Sequence, residues 1–173
     1  NEKIYEIANS SHVHGMGKVR YEYERIGMNA RISTIQAAIL LEKLEIFPLE
    51  LEKRQKVADD YNKHLNQLNL GITTPILINE VTSSWAQYTI ILPDEINRDT
   101  LQENLKSKNI PTAVYYPIPL NEHKPYAKYP VSHEGLSNTI YLSKNVLSLP
   151  MHPYLSESDI ILIVKSIAEA IKS

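Results

Sequence analysis

Residues 27–44 read Gly27-Met28-Asn29-Ala30-Arg31-Ile32-Ser33-Thr34-Ile35-Gln36-Ala37-Ala38-Ile39-Leu40-Leu41-Glu42-Lys43-Leu44. Ser33 and Gln36 form a capping box, in which a hydroxyl and an amide each satisfy a backbone donor of a helical first turn. The spacing predicts a helix opening at Ser33. The run Ile35, Ala37, Ala38, Ile39, Leu40, Leu41 and Leu44 is apolar nearly all round, the pattern of a helix buried on most sides. Pro48 is expected to end or kink that helix, and it suits the first turn of a second one. In the second helix Leu51, Val57, Ala58, Tyr61, Leu65 and Leu68 recur at helical steps, opposite Glu52, Lys53, Lys56, Asp59, Asp60 and Lys63. Asn69 and Gly71 mark its stop.

Upstream, residues 1–25 are polar and hold only one short apolar-periodic stretch (Ile4, Ile7, Ala8), which reads as a helix end followed by a loop. Downstream, Ser84–Leu92 reads as a strand closed by Pro93-Asp94. Asn97 caps a short helix carrying Leu101 and Leu105 and ending near Asn109. Residues 112–116 read as a second strand and residues 146–149 as a third. Between them the stretch 117–130 holds four prolines, too many for regular structure. Ser156-Glu157-Ser158-Asp159 is a second capping box, opening a helix with Ile160, Ile163, Val164, Ile167, Ala168 and Ile171 on one face. The order favours an α+β fold with long helices packed on a small, mainly antiparallel sheet. No internal repeat or low-complexity segment interrupts it.

The 173 residues carry 18 Lys plus Arg against 20 Asp plus Glu, with 43% hydrophobic residues and no cysteine. That is the composition of a folded soluble domain. The near-neutral charge argues against a general nucleic-acid binder. The lack of cysteine removes disulfides, thiol nucleophiles and thiolate metal sites. No apolar run reaches the length of a membrane helix and no secretory signal opens the chain, so a cytoplasmic location without membrane contact is expected.

Several constellations carry possible chemistry. His12-x-His14 could share a metal, but no third ligand follows at a fixed spacing, so no metal site is expected. Gly15-x-Gly17 lacks the third glycine and the strand and helix of a dinucleotide loop. Asn29 and Arg31 lie just before a helix start, a favourable place for an anion. Asn29 can donate to a phosphate oxygen and Arg31 can bind phosphate or carboxylate through two bonds. A turn asparagine with a surface ion pair is the equally open alternative. Tyr115 and Tyr116 sit at a strand end before a proline-stiffened loop, where they can stack on a flat ring or donate to a polar ligand. One core and one surface tyrosine is the plainer reading. His152, between prolines, reads as a rigid turn that docks the last helix.

Together these motifs resemble the DegT/DnrJ/StrS sugar aminotransferases. The matching residues are His14-Gly15, Tyr23, Gly27-x-Asn29-x-Arg31, Gln36-Ala37-Ala38-x-Leu40, Lys43-Leu44 and Trp85-x-Gln87-Tyr88. The successions Ile110–Asn121 and Leu147–Leu155 complete the set, in the right order over essentially the whole chain. Within the family the Asn121 form of the loop is similar to aminotransferases acting on UDP-linked 3-keto amino-sugar uronates in surface polysaccharide synthesis.

The resemblance implies a fold-type I enzyme that uses pyridoxal 5'-phosphate to move an amino group, usually from glutamate, onto a nucleotide-linked keto sugar. It implies a homodimer with shared active sites. In such a dimer Asn29 would reach the cofactor phosphate of the neighbouring subunit, with Arg31 close to cofactor and substrate. Tyr115 and Tyr116 would line the sugar-nucleotide pocket, although many relatives carry His at the position of Tyr115. The family's Schiff-base lysine lies a few dozen residues before the Gly-x-Asn-x-Arg motif, and Lys3 and Lys18 lack its surroundings.

The chain is therefore expected to be the C-terminal part of a longer enzyme, without a catalytic lysine of its own and inactive by itself. Residues 1–32 would be an interface segment from the end of the large domain. Residues 33–70 would be connecting helices and residues 71–173 a small α+β domain. The alternative is a free-standing sugar-nucleotide-binding or dimerisation module without catalysis. Either way the apolar helix from Ile35 to Leu44 should leave an exposed patch in the isolated chain, so self-association is expected. Light scattering at high concentration checks this, and a clean monomer would count against it.

Overall fold

The computed structural model describes residues 1–172. The chain forms two compact units, residues 1–47 and 48–173. In chain order the elements are α1 (Glu2–Ser11), α2 (Thr34–Asn66), β1 (Tyr88–Ile91), α3 (Arg98–Ser107), a 3-10 turn at Leu120–Glu122, α4 (Ser137–Asn145), β2 (Val146–Leu149) and α5 (Glu157–Lys172). Among the described residues no helix is long and apolar enough to cross a membrane.

In the first unit α1 is capped by Asn1, whose side chain accepts from the backbone N–H of Lys3. The chain then runs out and back, pairing Val13 with Asn29 and Met16 with Tyr23 in antiparallel bridges. The capping box at the start of α2 is formed as expected: Gln36 N–H donates to Ser33 Oγ at 3.2 Å and Ser33 N–H to Gln36 Oε1 at 3.3 Å.

One expectation about α2 needs correction. Pro48 does not end the helix, which runs unbroken from Thr34 to Asn66. Proline removes only the rung to the Leu44 carbonyl, and the stripe Val57, Ala58, Tyr61 and Leu65, all buried, holds the following turns in place. The first half leaves the exposed apolar patch expected of this chain by itself: Ile35, Leu41 and Leu44 are 76%, 65% and 62% exposed.

The second unit is organised round one core. β1 and β2 pair antiparallel with Tyr88 opposite Leu149 and Ile90 opposite Leu147. Thr73 extends the sheet on the β1 side and Ala113 on the β2 side by single bridges. The second strand expected over residues 112–116 is thus reduced to Ala113, which exchanges both backbone bonds with Ser148. The next hydrogen-bonded pair in that register would be Pro111 and Pro150, and neither has an N–H to donate. The helix α4 escapes the sequence pattern because its buried residues are polar, Ser143 and Asn145. Asn145 Nδ2 donates to Asp94 Oδ1 at 3.0 Å and its carbonyl accepts from Leu92 N–H at 2.9 Å.

Tyr61 links the layers. Its ring stacks on Tyr88 with centroids 4.7 Å apart, and its hydroxyl donates to the Pro150 carbonyl at 3.0 Å. The Tyr88 hydroxyl donates to Asn62 Oδ1 at 2.6 Å. Burial pushes both phenols well above the ordinary tyrosine range, so they act as donors at every physiological pH. Trp85 closes the other side, donating from Nε1 to Gln55 Oε1 at 2.7 Å while its carbonyl accepts from Arg54 at 2.8 Å. At α5 the Ser156–Asp159 capping box forms, and its hydrogen bonds from Ser156 hold the Asp159 carboxyl below the usual range.

Tyr61→Phe, which leaves the Pro150 carbonyl unpaired, should cost about 1 kcal/mol. Tyr61→Ala, which also empties the space beside Tyr88, should cost about 3–5 kcal/mol. Urea unfolding followed by Trp85 fluorescence checks both, and equal losses in the two variants would refute a packing role for the ring.

Candidate functional site

The first candidate site is built on close backbone contact. Gly15 has φ of +79°, and a Cβ there would lie 1.8 Å from the Arg25 carbonyl oxygen. A Cβ on Gly27 would lie 2.2 Å from the Gly15 nitrogen and 2.6 Å from the Ser11 carbonyl oxygen. Only glycine lets the two strands approach this closely. The gap is closed by His14 N–H to Met28 O at 3.0 Å, Met28 N–H to Ser11 O at 2.8 Å and Ala30 N–H to His12 O at 3.0 Å. The glycines of this segment thus shape a hairpin and not a phosphate loop.

That hairpin fixes Asn29 and Arg31. Arg31 Nε donates to Asn29 Oδ1 at 3.2 Å, which directs the Asn29 amide nitrogen outward and leaves the Arg31 terminal nitrogens free. Both side chains are exposed, just before the capped start of α2. An amide donor, a guanidinium fork and the positive field of a helix start form a set that suits a phosphate. Arg31 also lines an open cleft of about 410 Å³ with His14, Lys18, Arg20, Tyr21 and Tyr23. His12 is turned to the end of α1, its Nδ1 lying 3.3 Å from the Ala8 carbonyl. Among the described residues no group of three or more His, Cys, Asp or Glu could hold a metal.

The second candidate site lies in the second unit. A cleft of about 220 Å³ opens where the sheet stops at Pro111 and Pro150, and Tyr115 lines it with Gln87, Thr112, Ser148 and Met151. Three of the motifs quoted above, around Gln87, Tyr115 and Met151, therefore meet at one place. Tyr116 is not among the lining residues and is 79% exposed. The floor is held from below. Ser148 Oγ and Thr89 Oγ1 lie 2.7 Å apart, Gln102 Nε2 donates to the Thr112 carbonyl at 3.2 Å, and Tyr61 holds Pro150. Gln87, Thr112 and Met151 carry no signal as single residues; the pair of prolines facing each other across the ladder is the sign that a cleft opens there. His152 forms the rigid turn, its Nδ1 accepting from Tyr154 N–H at 3.2 Å, and the Tyr154 hydroxyl reaches Glu50 at 2.6 Å.

With this geometry in hand, known proteins give a consistent picture. Residues 1–168 match the DegT/DnrJ/EryC1/StrS aminotransferase family. The UDP-2-acetamido-2-deoxy-3-oxo-D-glucuronate aminotransferase of Pseudomonas aeruginosa is 44% identical over 151 residues, which cover 85% of this chain and 38% of that protein. A pleiotropic regulatory protein of Geobacillus stearothermophilus is 34% identical over 171 residues, 98% of this chain and 45% of that protein. The crystal structure of an aminotransferase of the same family from Brucella abortus superposes with a TM-score of 0.88 at 38% identity, covering 100% of this chain and 45% of that one. The chain thus spans less than half the length of the relatives it matches.

Gly15→Ala and Gly27→Ala should each open the hairpin. Amide exchange at Glu24, whose N–H donates to the Gly15 carbonyl at 2.9 Å, should accelerate at least tenfold in either variant. Unchanged exchange would show that the close approach is not required.

Proposed function

The chain belongs to the DegT/DnrJ/EryC1/StrS aminotransferase family, and from that premise we propose that it forms the later part of a sugar-nucleotide aminotransferase. The observation that carries this reading is the hydrogen-bonded pair Asn29–Arg31, two outward donors at the capped start of α2. These residues suit the phosphate of pyridoxal 5'-phosphate: Asn29 offers its amide N–H, and Arg31 offers a cation to the phosphate or to a substrate carboxylate. When bound, the cofactor supplies the electron sink for moving an amino group between donor and acceptor.

The likeness to the Pseudomonas enzyme supports a UDP-linked 3-keto amino-sugar uronate as acceptor; glutamate as the donor and a place in polysaccharide synthesis are what the family resemblance implies. Tyr115 and Tyr116 are assigned to the substrate. Tyr115 walls the cleft beside Gln87 and Thr112, and Tyr116, next to it in sequence, has its side chain exposed. The covalent lysine is assigned to a part of the enzyme outside these 173 residues. The exposed apolar half of α2 supports a homodimer, in which residues 1–32 act as an interface segment, residues 33–70 connect, and residues 71–173 form the small domain. A cytoplasmic location fits this substrate class.

Two measurements test the assignment. The isolated chain incubated with pyridoxal phosphate and reduced with borohydride should show no stoichiometrically labelled lysine by peptide mapping; one fully labelled lysine would overturn the division of roles. In the whole enzyme Asn29→Ala should weaken cofactor binding about tenfold, the loss of one good charge-assisted hydrogen bond. Arg31→Ala should reduce amino transfer to the UDP-3-keto sugar more than it reduces cofactor affinity. Unchanged cofactor affinity in Asn29→Ala would remove Asn29 from the site.

A further inference from the structure

Trp85 breaks the alternation of its strand. Positions two apart on an extended chain share a face, and Gln87 and Thr89 obey that rule. The Thr89 hydroxyl lies 2.7 Å from Ser148 Oγ, and Gln87 lines the cleft that Ser148 also lines. Trp85 stands two residues before Gln87, yet it is 4% exposed and its ring lies 5.9 Å from that of Tyr88, on the core side. The reversal is made at Trp85 itself, where φ is +45°. Bulky residues avoid this left-handed region, so the conformation is one that the surroundings impose. Asn69 and Asn109 are also left-handed, but they follow the ends of α2 and α3, and asparagine tolerates the form. Trp85 follows no helix.

Every polar group of Trp85 holds it in that form. Its N–H donates to Ser83 Oγ at 3.1 Å, its carbonyl accepts from Arg54 Nη1 at 2.8 Å, and its Nε1 donates to Gln55 Oε1 at 2.7 Å. Gln55 is fixed in turn, its Nε2 donating to Asp59 Oδ1 at 2.9 Å. Gln87 is the opposite case: it is exposed, and its amide makes no hydrogen bond among the described residues. The other wall of the cleft is already bound, since Gln102 Nε2 donates to the Thr112 carbonyl at 3.2 Å. None of the residues that line the cleft is charged. A free amide in an uncharged cleft, with both a donor and an acceptor to offer, matches a neutral polar group such as a hydroxyl or an acylamino group.

We propose that Trp85 is a positioning residue: its left-handed backbone, pinned by Arg54, Gln55 and Ser83, turns the chain so that Gln87 enters the Tyr115 cleft and binds a neutral polar group of the substrate there. The proposal rests on the reading of that cleft as a substrate site and adds to it the residue that makes the contact and the clamp that aims it.

The test measures kinetics in the whole enzyme, with the UDP-linked keto sugar and glutamate, and spectra in the 173-residue chain. Gln87→Ala should raise KM for the sugar about fivefold and leave kcat and the KM for glutamate within about twofold, the pattern of a lost binding contact. Arg54→Met frees the Trp85 carbonyl without touching the cleft and should raise the same KM, and Arg54→Lys should recover most of the loss. The double variant Arg54→Met/Gln87→Ala should be no worse than Gln87→Ala alone, because the positioned group is gone. A merely structural Arg54 would instead add its own loss. In the 173-residue chain Arg54→Met should shift the Gln87 side-chain amide resonance, with an unchanged circular dichroism spectrum. Parent-like KM in Gln87→Ala, additive losses in the double variant, or an unmoved Gln87 amide would each overturn the proposal. An enzyme that aminates no sugar nucleotide would overturn the sugar reading and the role of Gln87 with it. The amide shift would still report the Trp85 clamp, so the two failures are told apart.

Discussion

The second unit depends on the stack of Tyr61 on Tyr88. A phenol is the one side chain that can fill this space and also carry a donor at its far end. Its ring sits 4.7 Å from that of Tyr88, between helix and sheet, and its hydroxyl ends on the Pro150 carbonyl. That carbonyl belongs to the segment leaving β2, where Pro111 and Pro150 stop the ladder and the Tyr115 cleft opens. One buried side chain thus fixes the helix to the sheet and the sheet end to the cleft wall. Gln55 and Arg54, one turn and more before it, do the same for Trp85 on the opposite side.

The first unit solves a different problem. It has almost no buried side chain, and Gly15 is its one buried residue. Its hairpin is held by backbone bonds drawn together by two glycines whose missing Cβ atoms make the approach possible. Such a structure is specified by what is absent at Gly15 and Gly27, and it offers its side chains outward. That is a suitable frame for groups that act on a ligand or a second chain, as proposed for Asn29 and Arg31.

Much of this was legible in the sequence where one residue decides one local bond. The capping boxes at Ser33 and Ser156, the Asn97 cap of α3 and the buried stripe on α2 follow from short-range chemistry and form as read. The features that were not legible depend on partners distant in the chain. Residues 112–116 have strand composition, yet only Ala113 pairs; its partner Ser148 is distant in sequence, and the facing prolines at 111 and 150 end the ladder on one side. The helix α4 buries Ser143 and Asn145, whose value lies in bonds to Asp94 and Leu92 and not in apolar spacing. The contact between Gly15 and Gly27 is visible only in three dimensions. For the site, Asn29 and Arg31 were legible as donors before a helix, whereas the cleft round Tyr115 needed the fold.

The two halves of α2 bring these points together. A polar–apolar stripe from Val57 to Leu65 asks for one covered face, and the second unit covers it. The first half, apolar on nearly every side, asks for cover all round, and its large side chains remain exposed: Ile35, Ile39, Leu40, Leu41 and Leu44. Apolar surface of that extent is unfavourable in water at about 25 cal/mol per Å², and the other half of the same helix shows that this sequence buries such residues when a surface is provided. The donors Asn29 and Arg31 stand just before that uncovered half, which begins at Thr34. Any partner that covers the helix therefore arrives beside the donors. In the homodimer proposed above, hydrophobic burial along α2 and delivery of Asn29 and Arg31 to a phosphate would be consequences of the same contact.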